Sequence, residues 1–351
     1  MLLPETLRLH HQEIFEFHYI YFLPWKDQMV ESIRQRGGVV KCLAASNNIL
    51  LMTKIGSVIR YCRKHDIQLI HAHLPWAGIL ARMVGKLTGI PVVYTEHNKQ
   101  ERYHLGTRQM NLLTLNLLRE VIAVSGDVAD SIRKYKPRLK PPLRIILNGV
   151  NVQHFDSQSF NKQSVRQKLG IPVDALIIGT IAVFRFQKRL DLWLELAARI
   201  AQRFDSVHFI LVGDGPLKQE ILQKRKALGL EQKVHMPGLE TEVRPYLAAF
   251  DIYLMCSVFE GLPIALLEAM AMKCAVISTE AGGIREVIRH EVDGLLCDVE
   301  EPGKLVDYAL TLLSDADVRR ALGESARIRV TEAFSMEKMV DELERLYKVL
   351  V

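Results

Sequence analysis

Short apolar runs alternate with longer amphipathic stretches along most of the chain, and that alternation predicts parallel strands covered by helices. In the first half the runs IFEFHYIYF, VVKCLA, QLIHAH, PVVYTEH, EVIAVS and RIILNG read as strands, rich in β-branched and aromatic residues. In the second half ALIIGTIAVF, VHFILVG, VHMPG, IYLMC, CAVIST and GLLCD repeat the pattern. Between them lie segments with apolar residues at helical spacing. WAGILARMVGKLTG is one, and Gly89, just before Pro91, supplies its stop. The pattern predicts an α/β chain with two doubly wound parallel sheets.

Breaks in the pattern set the organisation. Pro137, Pro141 and Pro142 interrupt the chain, and NGVNVQHFDSQSFNK has turn chemistry without a period. A first domain over residues 1–150 and a second over 151–334 follow, which suits a chain of 351 residues. The closing segment, 335–351, carries Met336, Met339, Leu343, Leu346 and Leu350 at helical spacing. It can pack on the second domain or cross back to the first; the pattern allows both.

Composition narrows the class. No apolar stretch reaches the roughly 18 residues of a membrane span, and MLLPETLRLHHQEIFEF is too polar and acidic for a signal peptide. A cytoplasmic protein is expected, at the inner face of the membrane if its substrate is lipid-linked. Five scattered cysteines show no metal-ligand spacing, so neither disulfides nor zinc are expected. The net charge of +6 suits an anionic ligand, an acidic membrane surface or nucleic acid alike. Without an aromatic-interleaved basic run, nucleic acid is not expected, and no basic amphipathic helix stands out.

The segment SVFEGLPIALLEAMAMKCAVISTEAGGIREVI, residues 257–288, carries the most chemistry. Gly261 breaks the preceding strand and loop, and Pro263 suits a first helical position, so a helix N-terminus is expected right after Glu260. Unpaired N–H groups near Gly261 and Leu262 would there face a phosphate. Glu268 would sit inside that helix among Leu266, Leu267, Ala269 and Met270, where a carboxylate needs a partner. In IIGTIAVFRFQKRLDLWLELAARI, Arg185 and Lys188 follow a strand end and could hold a diphosphate. Arg189 reads as a surface cation. Gly213, Asp214, Gly215 and Pro216 form a tight turn that lacks the third glycine of a dinucleotide fingerprint.

Glu260 and Glu268, spelled EGLPIALLE, resemble the E-x7-E motif of GT4-type retaining glycosyltransferases of the GT-B fold. The match extends to the Gly213–Pro216 turn, to VHMPG ending at Gly238, to Ala281–Gly283, and to IHAHLPWAGILAR, VVYTEHN, AVSGDVADSI and ILNGVNVQHF. The resemblance implies two domains facing across a cleft and glycosyl transfer from a nucleotide-sugar, a UDP-sugar by analogy, to an acceptor hydroxyl with retention. It implies that Glu260 approaches the donor sugar, Glu268 binds the ribose, Arg185 and Lys188 hold the diphosphate, and His97 lies beside the anomeric centre. Gly261, Leu262, Pro263, Gly213, Pro216 and Gly238 would line the donor site. The acceptor would be a saccharide or a lipid-linked sugar of a polysaccharide or glycolipid, with peripheral membrane contact.

No cofactor or metal is expected: Asp315-Ala-Asp317 is the one D-x-D and reads as a helix cap, and His71 and His73 have no third ligand in spacing. The resemblance departs from the family at two points. Arg185 stands three residues before Lys188, where the family usually has five, and Val183 occupies the usual position. Members also open with a strand and glycine-rich loop before the segment matching FHYIYFLPW, so a truncated first unit is expected, roughly 25 to 30 residues short. A non-catalytic remnant that binds nucleotide or a partner is the alternative.

Overall fold

The computed structural model describes residues 2–351. They form two compact units: one runs to Asn148 and includes Met336–Val351, the other is Gly149–Ser335.

The first unit has six strands, all paired in parallel. β1 (His18–Tyr21) and β2 (Val39–Cys42) make a two-stranded ribbon. β3 (Ile70–His73), β4 (Val92–Glu96), β5 (Glu120–Ala123) and β6 (Leu143–Ile145) make a sheet in that order. Among the described residues no strand pairing joins ribbon to sheet. Apolar packing does, since Ile20 of β1 and Ile70 of β3 both rest on the buried cluster of Phe22, Leu51, Val58, Leu80 and Val84. The run IFEFHYIYF is shorter as a strand than its sequence predicts. Phe17 stacks on His10, and Phe15 meets the edge of Tyr347, so these rings serve packing ahead of the ladder.

The closing helix, Met336–Leu350, lies in this first unit. Met336, Met339, Val340 and Leu346 pack with Val93, Ile122 and Ile146 of the four-stranded sheet and its flank. Its buried Glu344 is hydrogen-bonded to His10 Nδ1 (3.0 Å), His11 Nδ1 (2.8 Å) and the His11 N–H (2.9 Å). A buried carboxylate needs such partners.

The second unit is built on one six-stranded parallel sheet. Its strands are β7 (Leu176–Ile181), β8 (Val207–Val212), β9 (Val234–Gly238), β10 (Ile252–Met255), β11 (Ala275–Thr279) and β12 (Leu295–Cys297), in the order β12-β11-β10-β7-β8-β9. Helices cover both faces, so the inner strands are buried on both sides and read as unbroken apolar runs. Trp193 anchors one face, edge-on to Phe209 and donating its indole N–H to Leu254 O (3.1 Å). Strand order reverses between β7 and β10, and the loops leaving their carboxyl ends there border the crevice where such sheets bind ligands.

Candidate functional site

Two loops meet at that reversal. The Val258 N–H donates to Gln187 O (2.9 Å) and clips the loop after β10 to the loop after β7. Lys188 Nζ then lies 2.5 Å from Glu260 Oε1, and Ser257 Oγ donates to the same oxygen (2.7 Å). Both charged side chains are largely buried, at 18% and 12% exposure, so the pair sits in a medium that strengthens its attraction. Arg189 turns away and donates to Val299 O (2.9 Å). Arg185 is exposed and has no side-chain partner among the described residues.

The helix Ile264–Ala271 starts just beyond this pair. Pro263 is its N-cap, at φ −75° and ψ 117°, one position earlier than the sequence reading placed it. The Leu266 N–H donates to Pro263 O (3.2 Å), while the first helical N–H groups have no intrahelical acceptor and point toward the loop. Glu268, on the same helix, is buried at 9% exposure with no hydrogen-bond or ion-pair partner among the described residues. Burial, reinforced by the charge of Glu242, pushes its carboxyl up to about 7. A buried carboxyl raised to about 7 is able to accept from or donate to hydroxyls.

Glycines let three loops approach at the carboxyl ends of β7, β8 and β9. Gly213 has φ +133°, and a Cβ there would stand 1.9 Å from Ala182 O; one at Gly215 would stand 2.6 Å from Phe184 N. The close approach lets the Phe184 N–H reach Asp214 O (2.9 Å) and the Gly213 N–H reach Gly238 O (2.8 Å). Lys218, where a third fingerprint glycine would stand, is held at 2.6 Å by Asp214 Oδ2. Pro216 closes the turn ahead of the helix Lys218–Ala227. Strain and overlap together should make Gly213→Ala less stable by about 3 kcal/mol, read as a lower urea midpoint at unchanged m; an unchanged midpoint would contradict the close approach.

In the first unit His97 follows β4. Its Nε2 lies 3.0 Å from His73 Nδ1, a partner made by the parallel register that sets His73 opposite Thr95. Burial lowers His97 to about 4 and His73 well below its ordinary value, so both rings are neutral near pH 7. One therefore donates and the other accepts. His71 is bonded to Tyr347 OH (2.6 Å) and Thr95 Oγ1 (2.7 Å).

Sequence reasoning passed over Glu96. It is buried and accepts bonds from Gln100 Nε2 (2.7 Å), Asn111 Nδ2 (3.1 Å), Tyr94, Tyr103 and the N–H of His97 (3.1 Å). That carboxylate fixes the loop on which His97 sits. The available signal was a single acid closing the apolar run PVVYTEH. Asp315 caps its helix, accepting from the N–H groups of Asp317 and Val318.

Comparison with known proteins fits this geometry. The family described as Glycosyl transferases group 1 matches residues 161–329, the unit with the Glu260–Lys188 pair, and Glycosyltransferase Family 4 matches residues 15–154. The chain belongs to the GT4-type glycosyltransferases. Among similar curated proteins is an N-acetyl-alpha-D-glucosaminyl L-malate synthase of Bacillus anthracis, 29% identical over 86% of this chain and 78% of that one. Another is the UDP-Gal:alpha-D-GlcNAc-diphosphoundecaprenol alpha-1,3-galactosyltransferase of Escherichia coli, 25% identical over 92% of this chain and 86% of that one. The fold is similar to Anabaena Alr3699/HepE, crystallised in complex with UDP, at a TM-score of 0.84 and 20% identity over 99% of this chain and 96% of that one. The family's GT-B architecture, two Rossmann-like domains, is that of this chain.

Proposed function

We propose that this glycosyltransferase moves a sugar from a UDP-sugar to an acceptor hydroxyl with retention at the anomeric carbon, in the synthesis of a polysaccharide or glycolipid. The observation that carries the reading is Glu268, a buried carboxylate with no hydrogen-bond or ion-pair partner among the described residues, on the helix that begins beside the Lys188–Glu260 pair. Ribose hydroxyls would satisfy it. Lys188 and Arg185 would neutralise the leaving diphosphate, with Gly261, Leu262 and Pro263 shaping the turn that brings the first N–H groups of the helix Ile264–Ala271 toward it. Glu260 would hold the sugar, Gly213, Pro216 and Gly238 would shape the nucleotide's seat, and His97 would bond near the anomeric centre. The charge balance of the leaving group then needs no metal or cofactor. The E. coli galactosyltransferase's named acceptor supports a lipid-linked acceptor here, with the enzyme in peripheral contact with the inner face of the membrane.

Proton NMR of UDP-glucose, UDP-galactose and UDP-N-acetylglucosamine incubated with the enzyme tests this, with water as the default acceptor. The expected result is slow release of UDP with the α-anomer of one sugar appearing first. Initial release of the β-anomer would refute retention, and tight binding without turnover even with sugar acceptors would favour the non-catalytic alternative. Replacing His97 with Ala should lower kcat roughly a hundredfold while donor affinity stays nearly constant; an equal loss in affinity would assign His97 to binding alone.

A further inference from the structure

The helix Leu105–Thr114 and the turn Leu115–Leu117 that continues it are built inside out. Polar groups face the interior: buried Asn111 bonds Glu96 and, with Thr114, the buried Arg82. Four of its apolar residues face outward, while Leu115 is buried. Leu105 is 56% exposed, Met110 42%, Leu113 78% and Leu117 40%, and Leu105, Leu113 and Leu117 fall at multiples of four. Leu113 and Leu117 stand one turn apart, exposed Gln109 separates them from Leu105, and an exposed apolar row of this kind marks an interaction site.

Its surroundings are strongly basic. Residues 99–140 hold nine Lys and Arg against four Asp and Glu, a net +5 in a chain whose total is +6. Each of the four acids already holds a cation: Glu101 with Lys134, Glu120 with Arg144, Asp127 with Lys99, Asp130 with Arg133. Arg119, Lys136, Arg138 and Lys140 have no acidic partner among the described residues. The Asn116 side chain ties this basic loop beside the stripe, accepting from the Lys140 N–H (3.0 Å) and donating to Arg138 O (3.4 Å). Arg108 lies over the Tyr135 ring at 4.7 Å and brings the end of the helix Gly126–Tyr135 to the same border.

We infer that this face docks on an anionic lipid bilayer, the leucines entering the headgroup boundary and the surrounding cations meeting lipid phosphates. A row of leucines bordered by unpaired lysines and arginines has the chemistry of an interfacial helix. The inference rests on the proposed membrane-associated acceptor and names the surface that reaches it.

The test is sedimentation of the full chain with vesicles of phosphatidylethanolamine and phosphatidylglycerol, against pure phosphatidylcholine, at low and physiological salt. The expected result is capture by the anionic vesicles that weakens with salt. Leu113→Ser with Leu117→Ser should weaken it about tenfold, and Lys136→Glu with Arg138→Glu and Lys140→Glu about a hundredfold or more. All five positions are exposed or half-buried surface sites, so the UDP-induced thermal shift of these variants should match the wild type and report a folded protein. No capture of the wild type, or equal capture of all variants, would overturn the inference. So would a concentration-dependent dimer that Leu113→Ser dissolves, because the stripe would then face a second copy. Capture without any nucleotide-induced shift would leave the docking surface standing and remove the donor-site reading alone.

Discussion

Glu268→Gln is expected to flatten the pH dependence of stability while it abolishes nucleotide binding. Burial raises the folded pKa of Glu268 from 4.5 to about 7, so the native state holds a proton that the unfolded state releases. The stability contributed by that proton is complete below pH 4.5 and is lost as pH rises through about 7. A shift of that size corresponds to about 3 kcal/mol between pH 4.5 and pH 8. The difference in unfolding free energy between wild type and variant should therefore fall by that amount across this window, in urea titrations at each pH. Ribose hydroxyls donating to the ionised carboxylate would pull its pKa down, so wild-type UDP affinity should rise about tenfold from pH 6 to pH 8. A pH-independent difference in stability would mean that Glu268 is already satisfied by the protein.

The second large effect is expected at Lys188. In the proposed reaction its ammonium meets the negative charge that develops on the leaving diphosphate, so Lys188→Ala should lower kcat by about a hundred- to a thousandfold. The same change strips Glu260 of its cation at a site that is 12% exposed. A loss of about 3 kcal/mol in stability follows, and much of it should return in the double variant Lys188→Ala with Glu260→Ala, measured as a cycle. Arg185 is exposed and has no side-chain partner among the described residues, so Arg185→Ala should cost activity with a stability change within about 0.5 kcal/mol. Equal stability losses at Arg185 and Lys188 would contradict this assignment.

The second unit was legible because its chemistry is local. Buried parallel strands announce themselves as unbroken apolar runs, and Glu260, the helix start and Glu268 lie within nine consecutive residues. Lys188 was legible as a cation following a strand end, while its ion pair with Glu260 appears only once the strand order brings the two loops together. In the first unit the informative contacts are distant in sequence. His73 meets His97 only once β3 and β4 are in register, and Glu344 meets His10 and His11 across more than three hundred residues.

Other features escaped because they break the rules used to read a sequence. Leu105, Leu113 and Leu117 point outward while Asn111 is buried, the reverse of what amphipathic periodicity assumes. Aromatic Phe15 and Phe17 look like strand residues yet spend their rings on His10 and Tyr347. Pro263 sits one position earlier than its propensity suggested because its extended ψ ends the preceding loop ahead of the helix.

The central claim is that the second unit seats a nucleoside diphosphate through Glu268 and Lys188. Thermal-shift titration with UDP, GDP and ADP, run in parallel on the wild type, Glu268→Ala and Lys188→Ala, tests it most directly. The account predicts that UDP raises the wild-type melting temperature more than GDP or ADP does and that both variants lose the shift. A wild type indifferent to all three nucleotides, or variants that keep the full shift, would contradict it.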